Sequence, residues 1–107
     1  MAKKIKYVNI EEASDMLNIT KNFFKELIYA GIIDISKNDK NEFVVFLEDL
    51  PHYINLIETA KVLDLSERTI RRYVKDKKIE LIGHKFKSDL KFKPADVERF
   101  VKNSRTS

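Results

Sequence analysis

The stretch from Glu67 to Lys77 reads Glu-Arg-Thr-Ile-Arg-Arg-Tyr-Val-Lys-Asp-Lys. Wound as a helix at about 100° per residue, it gathers Ile70, Tyr73 and Val74 into one apolar stripe. Arg68, Arg71, Arg72 and Lys75 then lie roughly 100° to 200° round from Ile70, on the side away from that stripe. Four cations turned away from a core are a means of holding a polyanion. The arginine fork matches phosphate oxygens and a guanine edge bidentately, which a lysine ammonium cannot do. If this is the second helix of a helix-turn-helix, whose early residues face base edges, Arg68 and Arg72 are expected on base edges, and Arg71 and Lys75 on phosphates. Thr69 sits on the flank, within reach of backbone or a thymine methyl. Ser66 stands where an N-cap hydroxyl belongs and completes the set. A plain solvated basic face is the alternative, but the face carries almost no acid.

Other chemistry finds few residues to carry it. The only histidines, His52 and His84, are far apart in sequence, and the chain has no cysteine, so no paired-His or Cys metal site and no local triad is visible. Glu11-Glu12 and Glu48-Asp49 stand at helix starts, where the helix dipole favours negative charge. Ser14, Thr20 and Ser66 have no neighbouring base. Two glycines leave no room for a phosphate-cradling loop. The expectation is a non-enzyme without cofactor, metal or small-molecule ligand.

With 107 residues the chain suits one compact domain or two very small ones. Hydrophobic residues are 43% and charged residues 36%, enough for a modest core beneath a charged surface. No apolar run approaches a membrane span, and the basic start Met-Ala-Lys-Lys-Ile-Lys lacks the apolar segment of a secretory signal. A cytoplasmic protein with no membrane partner is expected. The net charge of +4 is unevenly placed. Residues 1–52 hold seven Lys, no Arg and nine acids, a net −2; residues 53–107 hold nine Lys, five Arg and eight acids, a net +6. A lysine-rich surface from an AT-rich genome would explain the lysines. It would not explain why every arginine lies in the second half, which favours a polyanion partner there.

The elements that must position these cations are written twice. Tyr7-Val-Asn-Ile-Glu-Glu-Ala-Ser-Asp-Met-Leu-Asn-Ile-Thr lies over Tyr53-Ile-Asn-Leu-Ile-Glu-Thr-Ala-Lys-Val-Leu-Asp-Leu-Ser, and Phe43-Val-Val-Phe-Leu-Glu-Asp-Leu over Leu90-Lys-Phe-Lys-Pro-Ala-Asp-Val with one residue of slippage. Each copy predicts a helix (10–17 and 56–63), a two-residue turn (Asn18-Ile19 and Asp64-Leu65), and a hydroxyl cap, Thr20 or Ser66. A second helix follows over 21–29 and 67–77. Strands are expected over 32–36 with 42–46, and over 79–83 with 90–93, with hairpin tips at 37–41 and 84–89. A last helix should open at Glu48-Asp49 and at Pro94-Ala95-Asp96. Helix, turn, helix, hairpin, helix is a winged helix-turn-helix plan. The expected fold is mostly α with small β-hairpin wings, as two tandem units packed as one compact domain: 1–52 acidic and degenerate, 53–102 basic, and 103–107 a polar tail.

The run from Ile57 to Ile79 contains an acid, a small residue and a Leu, then Ser66-Glu-Arg-Thr-Ile-Arg and the pair Tyr73-Val74. It resembles the opening of excisionase-type DNA-binding domains of the MerR-like winged-helix superfamily. Lys91-Phe-Lys-Pro-Ala-Asp-Val-Glu-Arg-Phe resembles that family's closing basic strand and acid-led helix. The resemblance covers about residues 54–101, and the first half joins it only through the duplication. One departure is Lys77, where the family usually has glycine; Gly31 holds the neighbouring landmark in the first copy. The resemblance implies helix 67–77 in the major groove of double-stranded DNA. It also implies a wing, 84–89, whose Lys85 and Lys87 touch backbone or minor groove. Small proteins of this kind act as excisionases, repressors, or plasmid transfer and partition accessories, and activators of the family carry a long dimerisation helix for which little chain remains here.

The corresponding face of the first copy is different. Asn22, Lys25, Glu26 and Tyr29 stand where the second copy has Arg68, Arg71, Arg72 and Lys75, and Phe23 is expected on the flank. Phe23 and Tyr29 would anchor a protein contact or a dimer. Alternatively Asn22 reads an adenine while Lys21 and Lys25 hold phosphates. Two functions therefore stand: a sequence-specific DNA-binding accessory or regulatory factor of a mobile element, or a protein-interaction adaptor on a winged-helix scaffold. A homodimer or cooperative array on DNA, and a recombinase or relaxase, are the candidate protein partners.

Overall fold

An asparagine two residues after a tyrosine begins each half. Asn9 Oδ1 accepts from the Glu12 amide at 2.7 Å while the Glu12 carboxylate reaches back to the Asn9 amide at 3.5 Å. Asn55 and Glu58 make the same reciprocal pair at 2.7 and 2.9 Å. These capping boxes satisfy amides that the first helical turn leaves free, and they start α1 (Ile10–Leu17) and α3 (Leu56–Leu63). Both helices stop the same way, with Asn18 (φ 60°) and Asp64 (φ 55°) in the left-handed region. There the Ile19 amide reaches the Ser14 carbonyl, and the Leu65 amide the Ala60 carbonyl. The chain is then released at a fixed angle into α2 (Lys21–Tyr29) and α4 (Glu67–Asp76).

The computed structural model describes residues 6–76 and 81–105. It divides into two units, Met1–Pro51 and His52–Ser107, one residue earlier than the expected boundary. The protein is mostly α-helical with two small antiparallel sheets. In the first unit β1 (Tyr7–Val8), β2 (Ser36–Lys37) and β3 (Phe43–Phe46) pair in the order β1-β3-β2. In the second, β4 (Ile54–Asn55), β5 (His84–Phe86) and β6 (Asp89–Phe92) pair as β4-β6-β5, and α5 (Pro94–Arg105) follows. Val8 stands opposite Val45 and Ile54 opposite Phe92, so one cross-strand apolar pair closes each core. Around them are buried Ala13, Leu17, Phe24, Leu27 and Ile33 in the first unit, and Leu56, Ile70, Leu81, Val97 and Phe100 in the second.

Several boundaries differ from the sequence reading. Strands β1 and β4 were not expected. Each is two residues long, too short to leave a period-two pattern. Residues 32–35 are not strand. Gly31, at φ 77°, ends α2, and the amides of Ile32 and Ile33 both turn back to the Leu27 carbonyl, which drops Ile33 into the core as a plug. The first tip is correspondingly 38–42, where Asn38 Oδ1 accepts from the amides of Lys40 and Glu42. In the second unit residues 81–83 precede the strand, His84–Phe86 belongs to it, and the turn is only Lys87-Ser88. Residues 79–80 and Lys77 lie outside the described residues.

The expected helix at Glu48-Asp49 is a single 3-10 turn, Leu47–Asp49. Pro51 holds Leu50 extended (ψ 118°), so the helix cannot continue. In the second unit the proline comes first, and Pro94 opens twelve residues of α5. That helix takes in Asn103–Arg105, the first residues of the expected polar tail 103–107.

Candidate nucleic-acid interface

Helix α4 begins where the Ser66 hydroxyl accepts from the Thr69 amide at 3.1 Å, and the two hydroxyls lie 2.8 Å apart. Ser66 is thereby committed to the helix start, and Thr69 is half-buried beside it. The inward stripe is as the periodicity predicts. Ile70 is fully buried, Val74 is half-buried, and the half-buried Tyr73 ring packs 5.8 Å from Phe100 of α5. On the other side Arg68, Arg71, Arg72 and Lys75 are all exposed. Among the described residues no carboxylate lies within ion-pair distance of any of the four. The guanidinium of Arg72 stands 5.8 Å from the ring centre of its neighbour Tyr73. A row of exposed cations with no carboxylate in ion-pair reach among the described residues is an electrostatic seat for phosphate.

The β5–β6 hairpin adds Lys85 and Lys87, both exposed. Lys87 occupies the left-handed region at φ 57°, which a side chain with a Cβ adopts at a cost of about 1–2 kcal/mol. The first unit's hairpin has its left-handed residue at Asn41 (φ 63°), a type that tolerates it better. Gly83 links hairpin and helix. A Cβ there would stand 2.9 Å from Leu90 Cδ1, 3.3 Å from Phe92 Cε2 and 3.4 Å from Val74 Cγ1. Gly83→Ala is therefore expected to cost about 1–2 kcal/mol by overpacking, read as a lower denaturation midpoint with an unchanged slope. A midpoint at or above the wild-type value would mean that the Leu90 side chain simply swings aside.

Three side chains on the outer face of this sheet escaped the sequence reading. His84, expected as a tip residue, is in β5. It is half-buried, with its buried Nε2 3.8 Å from Asp96 Oδ2 and without a hydrogen-bond partner among the described residues. Tyr53 stands edge-on to His84 at 5.7 Å and to Phe86 at 5.0 Å, and Lys91 Nζ lies 5.5 Å from the Phe86 ring centre. The signal was present: His84 and Phe86 are two apart, which on a strand means one face. The expected hairpin tip at 84–89 places both residues in a loop, where that spacing carries no face.

In the first unit Lys21, Asn22, Lys25 and Glu26 are exposed on α2, and Tyr29 is 85% exposed at its end. Phe23 is not a surface anchor. It is 3% exposed, because on the helix it lies only about 40° from Leu27 and so joins the core stripe with Phe24. Among the described residues no group of three or more potential metal ligands occurs, and no helix is long and apolar enough to cross a membrane. No family model, curated protein or solved structure matches the chain.

Proposed function

We propose that the protein is a small sequence-specific double-stranded DNA-binding factor without catalytic activity, built as two tandem winged helix-turn-helix units. The observation that carries this reading is the exposed face of α4, where Arg68, Arg71, Arg72 and Lys75 have no carboxylate within ion-pair distance among the described residues. In this account α4 enters the major groove, with Arg68 and Arg72 on base edges and Arg71 and Lys75 on phosphates. Thr69 flanks them, and Ser66 fixes the helix start. The β5–β6 hairpin is the wing, with Lys85 and Lys87 on backbone or minor groove. The resemblance to excisionase-type domains supports a role as accessory or regulatory factor of a mobile element, with a recombinase or relaxase as the partner. Selection from a random duplex pool tests it. Enrichment of one motif supports sequence-specific binding, and a pool that stays random contradicts it.

Lys87 provides a second test with opposite signs. Lys87→Asn is expected to raise stability by about 0.5–1 kcal/mol, because Asn tolerates the left-handed conformation better. The same change should weaken binding to every duplex alike, since a phosphate contact carries no sequence information. Equal binding by variant and wild type would remove Lys87 from the interface.

Tyr29 favours a second reading for the first unit. At 85% exposure it is the most open aromatic side chain described, on an acidic half of the chain. A protein contact there, including a second copy in a homodimer or an array on DNA, is compatible with DNA binding by α4. Should binding to a protein partner survive loss of both Arg68 and Arg72, the adaptor function would stand on its own. Lys21, Asn22 and Lys25 remain the residues through which this unit would touch DNA instead.

A further inference from the structure

Phe86 is the last residue of β5, one step from the Lys87-Ser88 turn, and is 42% exposed. Its partners do not bury it; they fix its direction. Tyr53 braces the ring at 5.0 Å with planes 72° apart, and Lys91 Nζ stands 5.5 Å from the ring centre. Tyr53 in turn rests on His84, on the same outer face. The two neighbours of Phe86 in sequence, Lys85 and Lys87, are exposed cations. The turn that carries Lys87 keeps a strained left-handed backbone at a lysine. A large apolar side chain at a hairpin end, braced by Tyr53 and partly exposed, with Lys91 near its ring and Asp89 opposite it on β6, is poorly explained as core. Lys87 in the adjoining turn and Lys91 on the same face outnumber Asp89, so the net charge at this end of the hairpin is positive and favours a polyanion.

We propose that Phe86 is an apolar wedge, which the hairpin pushes against a base step of duplex DNA so that binding kinks the duplex. This rests on the DNA-binding reading of α4 and adds a consequence to it. Side chains such as Phe and Leu inserted between base steps partly unstack them, and the bend is repaid by further backbone contacts. Lys87 and Lys91 would supply those contacts by neutralising phosphates beside the inserted ring. Tyr53 acts as the brace that stops the ring from folding back.

The test needs no target sequence. A small DNA circle and the linear duplex of the same sequence are titrated with the full-length chain, because bent DNA has already met part of the deformation cost. Wild type is expected to bind the circle on the order of tenfold tighter than the linear form. Phe86→Ala should lose that preference while binding linear DNA nearly as well as wild type. Phe86→Leu, which retains an apolar wedge, should keep most of the preference. It also guards against a hairpin that fails to form in the alanine variant, which the cross-strand amide pattern of His84 and Lys91 reports by NMR. Equal binding of circle and line by wild type, or a preference that persists in Phe86→Ala, overturns the wedge and leaves the DNA-binding reading standing. Failure to bind either form overturns that reading, and the wedge with it.

Discussion

Replacing Arg68 and Arg72 together by alanine is expected to abolish discrimination between a selected duplex and its shuffled counterpart while leaving the fold intact. Both side chains are exposed, and neither has a carboxylate partner among the described residues, so their removal leaves no buried charge behind. A surface change of this kind alters stability by no more than about 0.5 kcal/mol. A bidentate contact to a base edge contributes about 1–3 kcal/mol of discrimination, so losing two corresponds to about 2–6 kcal/mol on the selected duplex. Arg72→Lys should recover little, because a point charge cannot reproduce the planar fork. Lys75→Ala, by contrast, should weaken selected and shuffled DNA equally. A competition titration with both duplexes reads all three binding outcomes. Equal losses on both duplexes from every substitution would remove the base-reading role from Arg68 and Arg72.

Phe92→Ala should have the largest effect on stability. Phe92 is fully buried, paired across the sheet with the equally buried Ile54, and its ring lies against the Gly83 backbone that joins hairpin to α4. Emptying such a site costs about 3–5 kcal/mol from lost transfer free energy and the cavity left behind. A unit of this size has a total stability of only several kcal/mol, so the second unit should be largely unfolded at physiological temperature. DNA binding should then fail although no basic residue has changed. Chemical denaturation followed by circular dichroism and by the amide spectrum of α4 measures this directly. A midpoint close to that of wild type would show that neighbouring side chains refill the space.

The helices were legible because their signals are local. Asn9 with Glu12, Asn55 with Glu58, the left-handed Asn18 and Asp64, and the Thr20 and Ser66 hydroxyls all act within four or five residues of each helix end. α1, α2 and α3 accordingly begin and end where the sequence predicts. Strand boundaries were not legible. Tyr7-Val8 becomes a strand only because Phe46 and Val45 arrive from nearly forty residues away, and no local pattern announces it. The expected helix at Glu48-Asp49 fails because Pro51 acts on the residue before it, Leu50, which it holds extended. Phe23 was misplaced by treating a 100° step from Phe24 as the edge of the apolar stripe, when Leu27 extends that stripe towards it. The basic face of α4 was legible in full, since exposure there follows from helical periodicity. The Tyr53, His84 and Phe86 cluster was legible only in part: the spacing of His84 and Phe86 puts both on one strand face, but bringing Tyr53 to them needs three strands in register.

The central claim is that α4 and the β5–β6 hairpin neutralise phosphates of duplex DNA. The most direct measurement is the affinity for one duplex across a series of salt concentrations, for wild type, Lys75→Ala and Lys87→Ala. With Arg71, Lys75, Lys85 and Lys87 on phosphates, the logarithm of the binding constant should fall with the logarithm of salt at a slope of about −3 to −4. Each lysine removed should make that slope shallower by about 1. A slope near zero, or one that neither substitution changes, would contradict the account and direct attention to the exposed Tyr29 of the first unit.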